Sequence, residues 1–446
     1  MQEEDINASG GLPTTRFISR QEVVTVNVRR PRGTNDILPE DARKWQLVEA
    51  KIRDICHRFG YQEIRTPIFE HTELFERGIG EATDIVEKEM YTFTDRGDRS
   101  ITLRPEGTAC VVRAFIENKL YAQSLPSKLY YVGPMFRYEK PQAGRYRQFS
   151  QFGVEAIGSM DPFLDVEMII LPIELYKACG LSGFQVHINS LGCPECRPKY
   201  REVLQQHLGE KFDQFCENCQ SRISRNPLRV LDCKNPKCQA LVAEIPLITN
   251  YLCTECSDHF QTVIKYLDLL EIDYELNPKL VRGFDYYTKT VFEITVSSLG
   301  AQNAIGGGGR YDGLVEEIGG KPMPAVGYAV GVDRLLLALE QQQIDIFPEQ
   351  HADVYVAHFG GDTKTAAVDL VVKLRASGLW VETDYMDRSL KAQMKSADKF
   401  KSRWVVIVGE EELKTGTVKV RRMDTGTEAD VALDQIVEYL SVKKEG

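Results

Sequence analysis

The chain of 446 residues lacks a long hydrophobic run. Its longest mostly apolar stretches, such as Met168–Leu175 and Leu335–Leu339, are too short to span a bilayer. The first thirty residues have no apolar core of the kind a secretory signal needs. These absences point to a cytoplasmic protein, where eleven cysteines are expected as reduced thiols or metal ligands rather than disulfides. A basic excess is missing as well. The net charge of −10 argues against a general nucleic-acid binder and leaves room only for a local basic patch. No internal repeat is visible. The run Gly306–Gly309 lacks the Gly-Lys-Ser/Thr ending of a phosphate-binding loop and the spacing of a dinucleotide fold.

What is present is a globular composition, 43% apolar and 27% charged, over a length that suits two to four domains. Residues 1–22 read as a flexible leader and Val23–Val28 as a first strand. Trp45, Val48, Ile52, Ile55 and Phe59 recur at helical spacing after Pro39, and Gly60 ends that helix. Tyr61–Thr66 reads as a strand closed by Pro67. Further strands are expected at Met90–Thr94, Ser100–Leu103, Lys128–Phe136 and Gln148–Ala156, with helices at Gly107–Asn118 and Asp165–Cys179. Residues 192–260 hold eight of the eleven cysteines and look like an inserted module. Residues 341–351 are polar and suit a linker. Beyond them, strand and helix alternate through 352–446 as in a small α/β domain.

Five short clusters carry candidate chemistry. Leu103-Arg104-Pro105-Glu106-Gly107-Thr108 offers a carboxylate and a hydroxyl for an ammonium group; helix capping by Glu106 and Thr108 is the alternative. Phe136-Arg137-Tyr138-Glu139 and the strand carrying Gln151 and Glu155 flank a basic loop. Alternation puts Arg137 with Glu139 on one face, and Gln151 with Glu155. Arg137 is either a phosphate clamp or the internal partner of Glu139. Arg282-Gly283-Phe284-Asp285-Tyr286-Tyr287 reads as a turn entering a strand, and Gly306–Gly309 as a surface turn or as bare backbone under a flat ligand. Arg334 stands at a helix start, where a cation is unfavourable without an anion. Three arginines poorly explained by structure alone suggest a polyphosphate ligand.

From about Arg30 to its end the chain resembles the class II aminoacyl-tRNA synthetases, and within them the histidyl enzymes. The helix and strand ending at Pro67 look like the dimer-interface motif. Phe136–Glu139 looks like the second class motif and Gly331-Val332-Asp333-Arg334 like the third. Leu103–Thr108 and Leu280–Tyr287 are the specific marks. The resemblance implies an α+β catalytic domain on an antiparallel sheet, residues 23–191 and 261–340, interrupted by the 192–260 module, with a C-terminal α/β anticodon-binding domain over 352–446. It implies that histidine and ATP form an adenylate, and that the histidyl group passes to the 3′ end of tRNA(His) in a homodimer.

The implied roles follow from the matching positions. Glu106, Thr108 and Gln151 would hold the substrate ammonium. Glu155 and Tyr287 would read the imidazole, with Tyr286 and Tyr311 lining the same pocket. Arg137 would bind the α-phosphate, with Glu139 near the adenine amine. Arg145 and Arg334 would hold the outer phosphates with Mg²⁺, and Arg282 would face the α-phosphate from the other side. Gln142 and Arg147 would meet the tRNA acceptor end. Lys391, Lys395 and Lys399, four residues apart, would share a helix face toward RNA or simply be solvated. Asp333 departs from the more usual glutamate of the family. An inactive paralogue regulating histidine biosynthesis is the alternative, disfavoured by the presence of Arg137, Arg282, Arg334 and residues 352–446.

The cysteines have their own spacing. Cys193-x₂-Cys196 and Cys216-x₂-Cys219, 19 residues apart, are the expected zinc tetrad, since four thiolates suit a tetrahedral ion. Cys233-x₄-Cys238 and Cys253-x₂-Cys256 follow, so two sites of four are the other arrangement. Thiols that merely decorate the insertion are the bland reading, and the family does not in general need zinc here.

Overall fold

A computed structural model describes residues 28–80, 83–300, 303–345 and 350–442, and the counts that follow are of these residues. The expected leader and all but the last residue of the expected first strand lie outside them. The chain forms two compact units that divide between Ile346 and Phe347.

The first unit opens with α1 (Pro39–Arg58), which buries Val48, Ile52 and Ile55. It stops at Gly60, whose φ of +75° only glycine adopts cheaply. The strand expected at 61–66 shrinks to β1 (Gln62–Glu63), a sheet edge with Pro67 close behind. Then come β2 (Phe69–His71), α2 (Thr72–Ile79), β3 (Tyr91–Thr94) and β4 (Ser100–Leu103), with β2, β4 and β3 making a small antiparallel sheet. Next are α3 (Thr108–Glu117), β5 (Ser127–Phe136), β6 (Gln148–Ile157), α4 (Pro162–Ala178) and β7 (Phe184–Ser190). The insertion supplies α5 (Cys196–Gly209), α6 (Glu217–Arg225), α7 (Pro236–Leu241) and the start of α8 (Thr254–Leu269), which runs on through residue 260. The unit closes with β8 (Glu275–Leu276), β9 (Thr288–Val296), β10 (Ala304–Arg310), α9 (Leu314–Glu317), β11 (Ala325–Gly331) and α10 (Val332–Gln341).

Eight strands form one sheet in the order β1-β5-β6-β11-β10-β9-β7-β8. The six inner strands pair antiparallel, and only the two short edges are parallel. Period-two alternation divides each strand. Phe152, Val154 and Ala156 of β6, Val326, Tyr328 and Val330 of β11, and Phe292, Ile294 and Val296 of β9 enter one core. Residues of α1, α4, α8 and α10 join that core. The helix α4 is buried along most of its length, as its nearly uniform apolar sequence requires. Within it Asp165 pairs with the fully buried Arg310 at 2.8 Å and with His259 at 3.2 Å, so no buried charge is left alone. The alternate residues, among them Gln151, Gly153, Glu155, Glu293, Gly327 and Ala329, therefore belong to the opposite face.

The second unit comprises β12 (Val354–His358), α11 (Thr363–Ala376), β13 (Val381–Thr383), α12 (Leu390–Lys399) and β14 (Trp404–Val408). It ends with α13 (Glu410–Thr415), β15 (Thr417–Arg422), β16 (Glu428–Ala432) and α14 (Ile436–Val442). The sheet order is β13-β12-β14-β15-β16, parallel across the first three strands and antiparallel at the last two. One face packs Leu370 and Leu374 of α11 on Val354 and Val406. The other packs Ala397 of α12 on Tyr355 and Val405.

Candidate active site

The glycine run is not a surface turn. Gly306–Gly309 lie in β10, hydrogen-bonded to β9 and β11 on either side. A Cβ on Gly307 would stand 2.7 Å from both Arg282 Nη1 and the Phe292 carbonyl, and one on Gly308 would be 2.1 Å from the Gly327 carbonyl. The strand has side-chain-free backbone because nothing else fits. Above it lies a cavity of about 600 Å³, which shares Arg137, Arg145, Gln151, Arg282, Glu293 and Gly307 with a second lobe of about 230 Å³.

The closed end of the larger lobe is polar beneath an aromatic lining. Glu106 lies just ahead of α3, and its two oxygens accept the Thr108 and Ala109 backbone N–H groups at 2.7 and 2.8 Å. The capping role thus describes Glu106 here, yet each oxygen keeps acceptor capacity and the side chain still lines the cavity. Glu155 lines neither lobe: it is 1% exposed and lies behind Thr108 and Tyr311, accepting from Thr108 Oγ1 at 2.7 Å and from Tyr311 OH at 2.5 Å. Burial pushes its carboxyl up to about 8, against the opposing pull of the Tyr311 and Thr108 hydrogen bonds. Tyr286 lies between Tyr287 and Tyr311, with ring centroids 4.7 and 5.7 Å away. Gln151 presents a buried Oε1 with no hydrogen-bond partner, as does the hydroxyl of Tyr131. Buried polar atoms left unpaired in a cavity are what a polar ligand would satisfy.

Tyr131 was not singled out from the sequence. Its ring occupies the space that a Cβ on Gly107 or on Gly153 would need, 2.3 and 2.1 Å away. Only those two glycines admit it, and no linear pattern links three such distant positions.

The smaller lobe is cationic. Arg137 donates through Nε to the Pro105 carbonyl at 2.9 Å and is only 3.9 Å from Glu139, so the internal pair is loose. Arg145 meets Glu139 at 3.1 Å. Arg334 is anchored through Nε on the Ala304 carbonyl at 2.7 Å; burial first, then Arg145, pulls its pKa down. Glu139 and Glu293 offset part of that repulsion, and the gathered guanidiniums suit an anion. Arg282 pairs through Nη1 with Glu293 at 2.9 Å, while its buried Nε has no partner. Glu293, also missed from the sequence, faces the lobe because β9 alternates. Asp333 accepts the Ser150 N–H at 2.7 Å and braces β6 beside the same lobe.

Gln142 and Arg147 stay outside both lobes, on the loop between β5 and β6. Arg147 stacks 3.7 Å over Tyr138. Lys391, Lys395 and Lys399 are exposed on α12, whose inner face is Gln393 and Ala397. The expected cysteine tetrad is not what the fold assembles. Cys193 and Cys196 gather with Cys253 and Cys256, and Cys216 and Cys219 with Cys233 and Cys238. The reason is α5, whose 14 residues, roughly 21 Å of helix, carry the chain away from the first pair before the second begins.

A family model described as histidyl-tRNA synthetase matches residues 33–335, and one described as an anticodon binding domain matches 353–443. The chain belongs to the histidyl-tRNA synthetase family. A relative from Moorella thermoacetica named histidine–tRNA ligase is 55% identical over 416 residues, 93% of this chain and 98% of that protein. One of the same name from Pelotomaculum thermopropionicum is 54% identical over 417 residues, 94% and 98% of the two chains. The crystal structure of apo Staphylococcus aureus histidyl-tRNA synthetase superposes with a TM-score of 0.80 at 40% identity, covering 93% of this chain and all of that one. The family's antiparallel catalytic sheet and separate C-terminal domain are both present here.

Proposed function

We propose that the two lobes bind L-histidine and ATP, join them as histidyl-adenylate, and pass the histidyl group to the 3′ end of tRNA(His). The observation that carries this is one lobe lined by Arg137, Arg145, Arg282 and Arg334, joined to a pocket lined by Glu106, Thr108, Gln151 and Tyr311, with Glu155 bonded behind Thr108 and Tyr311.

Glu106, Thr108 and Gln151 hold the ammonium of histidine. Glu155 and Tyr287 read the imidazole, whose two nitrogens need two defined partners, and Tyr286 and Tyr311 wall the ring. Arg137 takes the α-phosphate, Glu139 the adenine amine, and Arg145 and Arg334 the β- and γ-phosphates. Mg²⁺ bound with the triphosphate would neutralise part of its charge. The carboxylates of the smaller lobe are Glu139, Glu293 and Asp333; with Glu139 on the adenine amine, the other two are the hard oxygens that would suit it.

In the first step a histidine carboxylate oxygen bonds to the α-phosphorus as the bond to pyrophosphate breaks. Little covalent work falls to the protein; it positions the reactants and offers fixed positive charge. Arg282 is held by Glu293 with its Nε free, so it faces the developing charge without reorganising. In the second step the terminal ribose hydroxyl attacks the adenylate carbonyl and AMP departs. Gln142 and Arg147 on the exposed loop receive the acceptor end, and the α12 lysines receive the anticodon arm. A regulatory paralogue without activity finds no support in a pocket that keeps all these arginines. Ile68, Phe69 and Phe93, exposed around the small sheet, support a homodimer through that surface. No helix among the described residues is long and apolar enough to cross a membrane; together with the thiol-rich insertion, this supports a cytoplasmic setting.

Histidine-dependent ATP–pyrophosphate exchange tests the reading. Exchange with histidine alone is expected. Exchange with another amino acid would overturn the imidazole assignment, and none with any amino acid in folded protein would overturn the activation step.

A further inference from the structure

Within each cysteine cluster the four sulfurs lie within 4.8 Å of one another. Cys193–Cys196 stand at 3.6 Å, Cys193–Cys253 at 3.9 Å and Cys216–Cys233 at 3.9 Å. A disulfide needs about 2.05 Å. Four thiolates around one zinc, at about 2.3 Å each, stand about 3.8 Å apart. Backbone N–H groups already point at the sulfurs, from Cys253 to Cys196 at 3.1 Å and from Cys216 to Cys238 at 3.4 Å. Such donors orient thiolates bound to a metal.

The two clusters are nested. Cys193 and Cys196 follow β7, while Cys253 and Cys256 begin α8, so the outer cluster joins the chain where it leaves and re-enters the catalytic unit. The inner cluster joins the first turn of α6 to the approach and start of α7, helices of nine and six residues. Helices that short do not hold themselves, and so small a module needs a staple.

The inner cluster also borders the substrate cavity. Leu231, Asp232, Lys234, Gln239 and Val242, which surround Cys233 and Cys238 in sequence, line the larger lobe. Between Cys219 and Cys233, Arg229 donates to the Arg282 carbonyl at 2.9 Å and Asn226 to Asp285 at 2.9 Å. The segment tied at its ends by this cluster therefore holds the loop that carries Arg282.

We propose that the insertion carries two structural zinc sites, Cys193/Cys196/Cys253/Cys256 and Cys216/Cys219/Cys233/Cys238, and that the inner ion fixes the outer wall of the substrate pocket. The first half stands on the thiol geometry alone; the second rests on reading the cavity as the histidine and ATP site.

Elemental analysis of the full chain, purified reduced and without chelator, is expected to give two zinc ions per chain. Cys219→Ser with Cys238→Ser and Cys196→Ser with Cys256→Ser are each expected to retain one. The inner variant is expected to raise the histidine KM in pyrophosphate exchange roughly tenfold, and the outer variant to lower Tm while moving KM less. Cobalt substituted into the unmutated protein gives a readout independent of variant folding: tetrahedral d–d bands and thiolate charge transfer from both sites. Zinc-free protein after growth with added zinc, or cobalt protein without thiolate charge transfer, would overturn the sites. An inner variant that loses one zinc and keeps its KM would overturn the pocket role. Two zinc ions in a folded chain without exchange would uphold the sites and sink the substrate reading instead.

Discussion

Arg282→Ala should nearly abolish adenylate formation while leaving the fold intact. The guanidinium sits over Tyr287, with Nη1 on Glu293 at 2.9 Å and a buried Nε that has no protein partner. An arginine held by one carboxylate with a free donor in a cavity is a preorganised site for growing negative charge. Removing one such donor costs about 3–4 kcal/mol of transition-state stabilisation, or about 10²–10³ in kcat. A competing contribution must be separated. The substitution also leaves Glu293 facing the lobe unpaired, a penalty of about 1–3 kcal/mol that acts on the resting enzyme as well. Arg282→Ala combined with Glu293→Gln, compared with Glu293→Gln alone, removes that orphaned charge and supplies the control. The assay is single-turnover adenylate formation at saturating histidine and ATP, with urea unfolding to verify the fold. A kcat within about threefold of the unmutated protein would refute the assignment, since that is under 1 kcal/mol.

Glu155 keeps its proton in the folded chain from the ordinary carboxyl value of 4.5 up to about 8, where the unfolded chain has already released it. Stability from this group is thus complete below about 4.5 and lost as pH rises through about 8; Glu155→Gln should flatten that slope in urea midpoints, and an unchanged slope would contradict the burial argument. Gly307→Ala brings a methyl to 2.7 Å from the Phe292 carbonyl, which cannot move aside as Arg282 can, so both Tm and exchange activity should fall; normal values for both would show that β10 has slack. Asp165→Asn takes from the buried Arg310 the nearer of its two ion partners, leaving Asp312 at 3.4 Å, and should cost about 3 kcal/mol in urea unfolding; a loss under about 1 kcal/mol would mean that Asp312 and the Ser159 and Asp161 carbonyls suffice. Lys391→Gln, Lys395→Gln and Lys399→Gln together should raise the KM for tRNA and shallow its salt dependence; if neither changes, the face is merely solvated.

Local signals made much of this architecture legible. The helical spacing of Val48, Ile52 and Ile55 marks α1 because one face of that helix meets the core. The alternation that groups Gln151 with Glu155 survives because β6 is a central strand with an apolar side and a polar side. Gly306–Gly309 left a surface turn and a bare backbone as equal alternatives, since four residues without side chains have no period, and only the neighbours Arg282 and Tyr328 reveal why the strand is bare. Tyr131 and Glu293 stayed hidden because register across β5, β6 and β9 brings them to the site. The hairpin of β15 and β16 was missed although Val418 and Val420 alternate with Lys419 and Arg421. The thiols were legible as clusters and not as partners: two pairs adjacent in sequence need not gather when a helix separates them.

The bare floor of β10 bears on how this gene can vary. Every amino-acid replacement of a glycine adds at least one carbon on the α-carbon. For Gly307, Gly308 and Gly309 that carbon lands within 3 Å of a neighbouring strand's carbonyl oxygen. No rearrangement of flexible side chains can make room there, so compensating second mutations have nothing to act on. In a saturation library selected for growth on this enzyme alone, these codons should appear as an uninterrupted blank, whereas a cavity lined by side chains would leave a graded scatter of survivors.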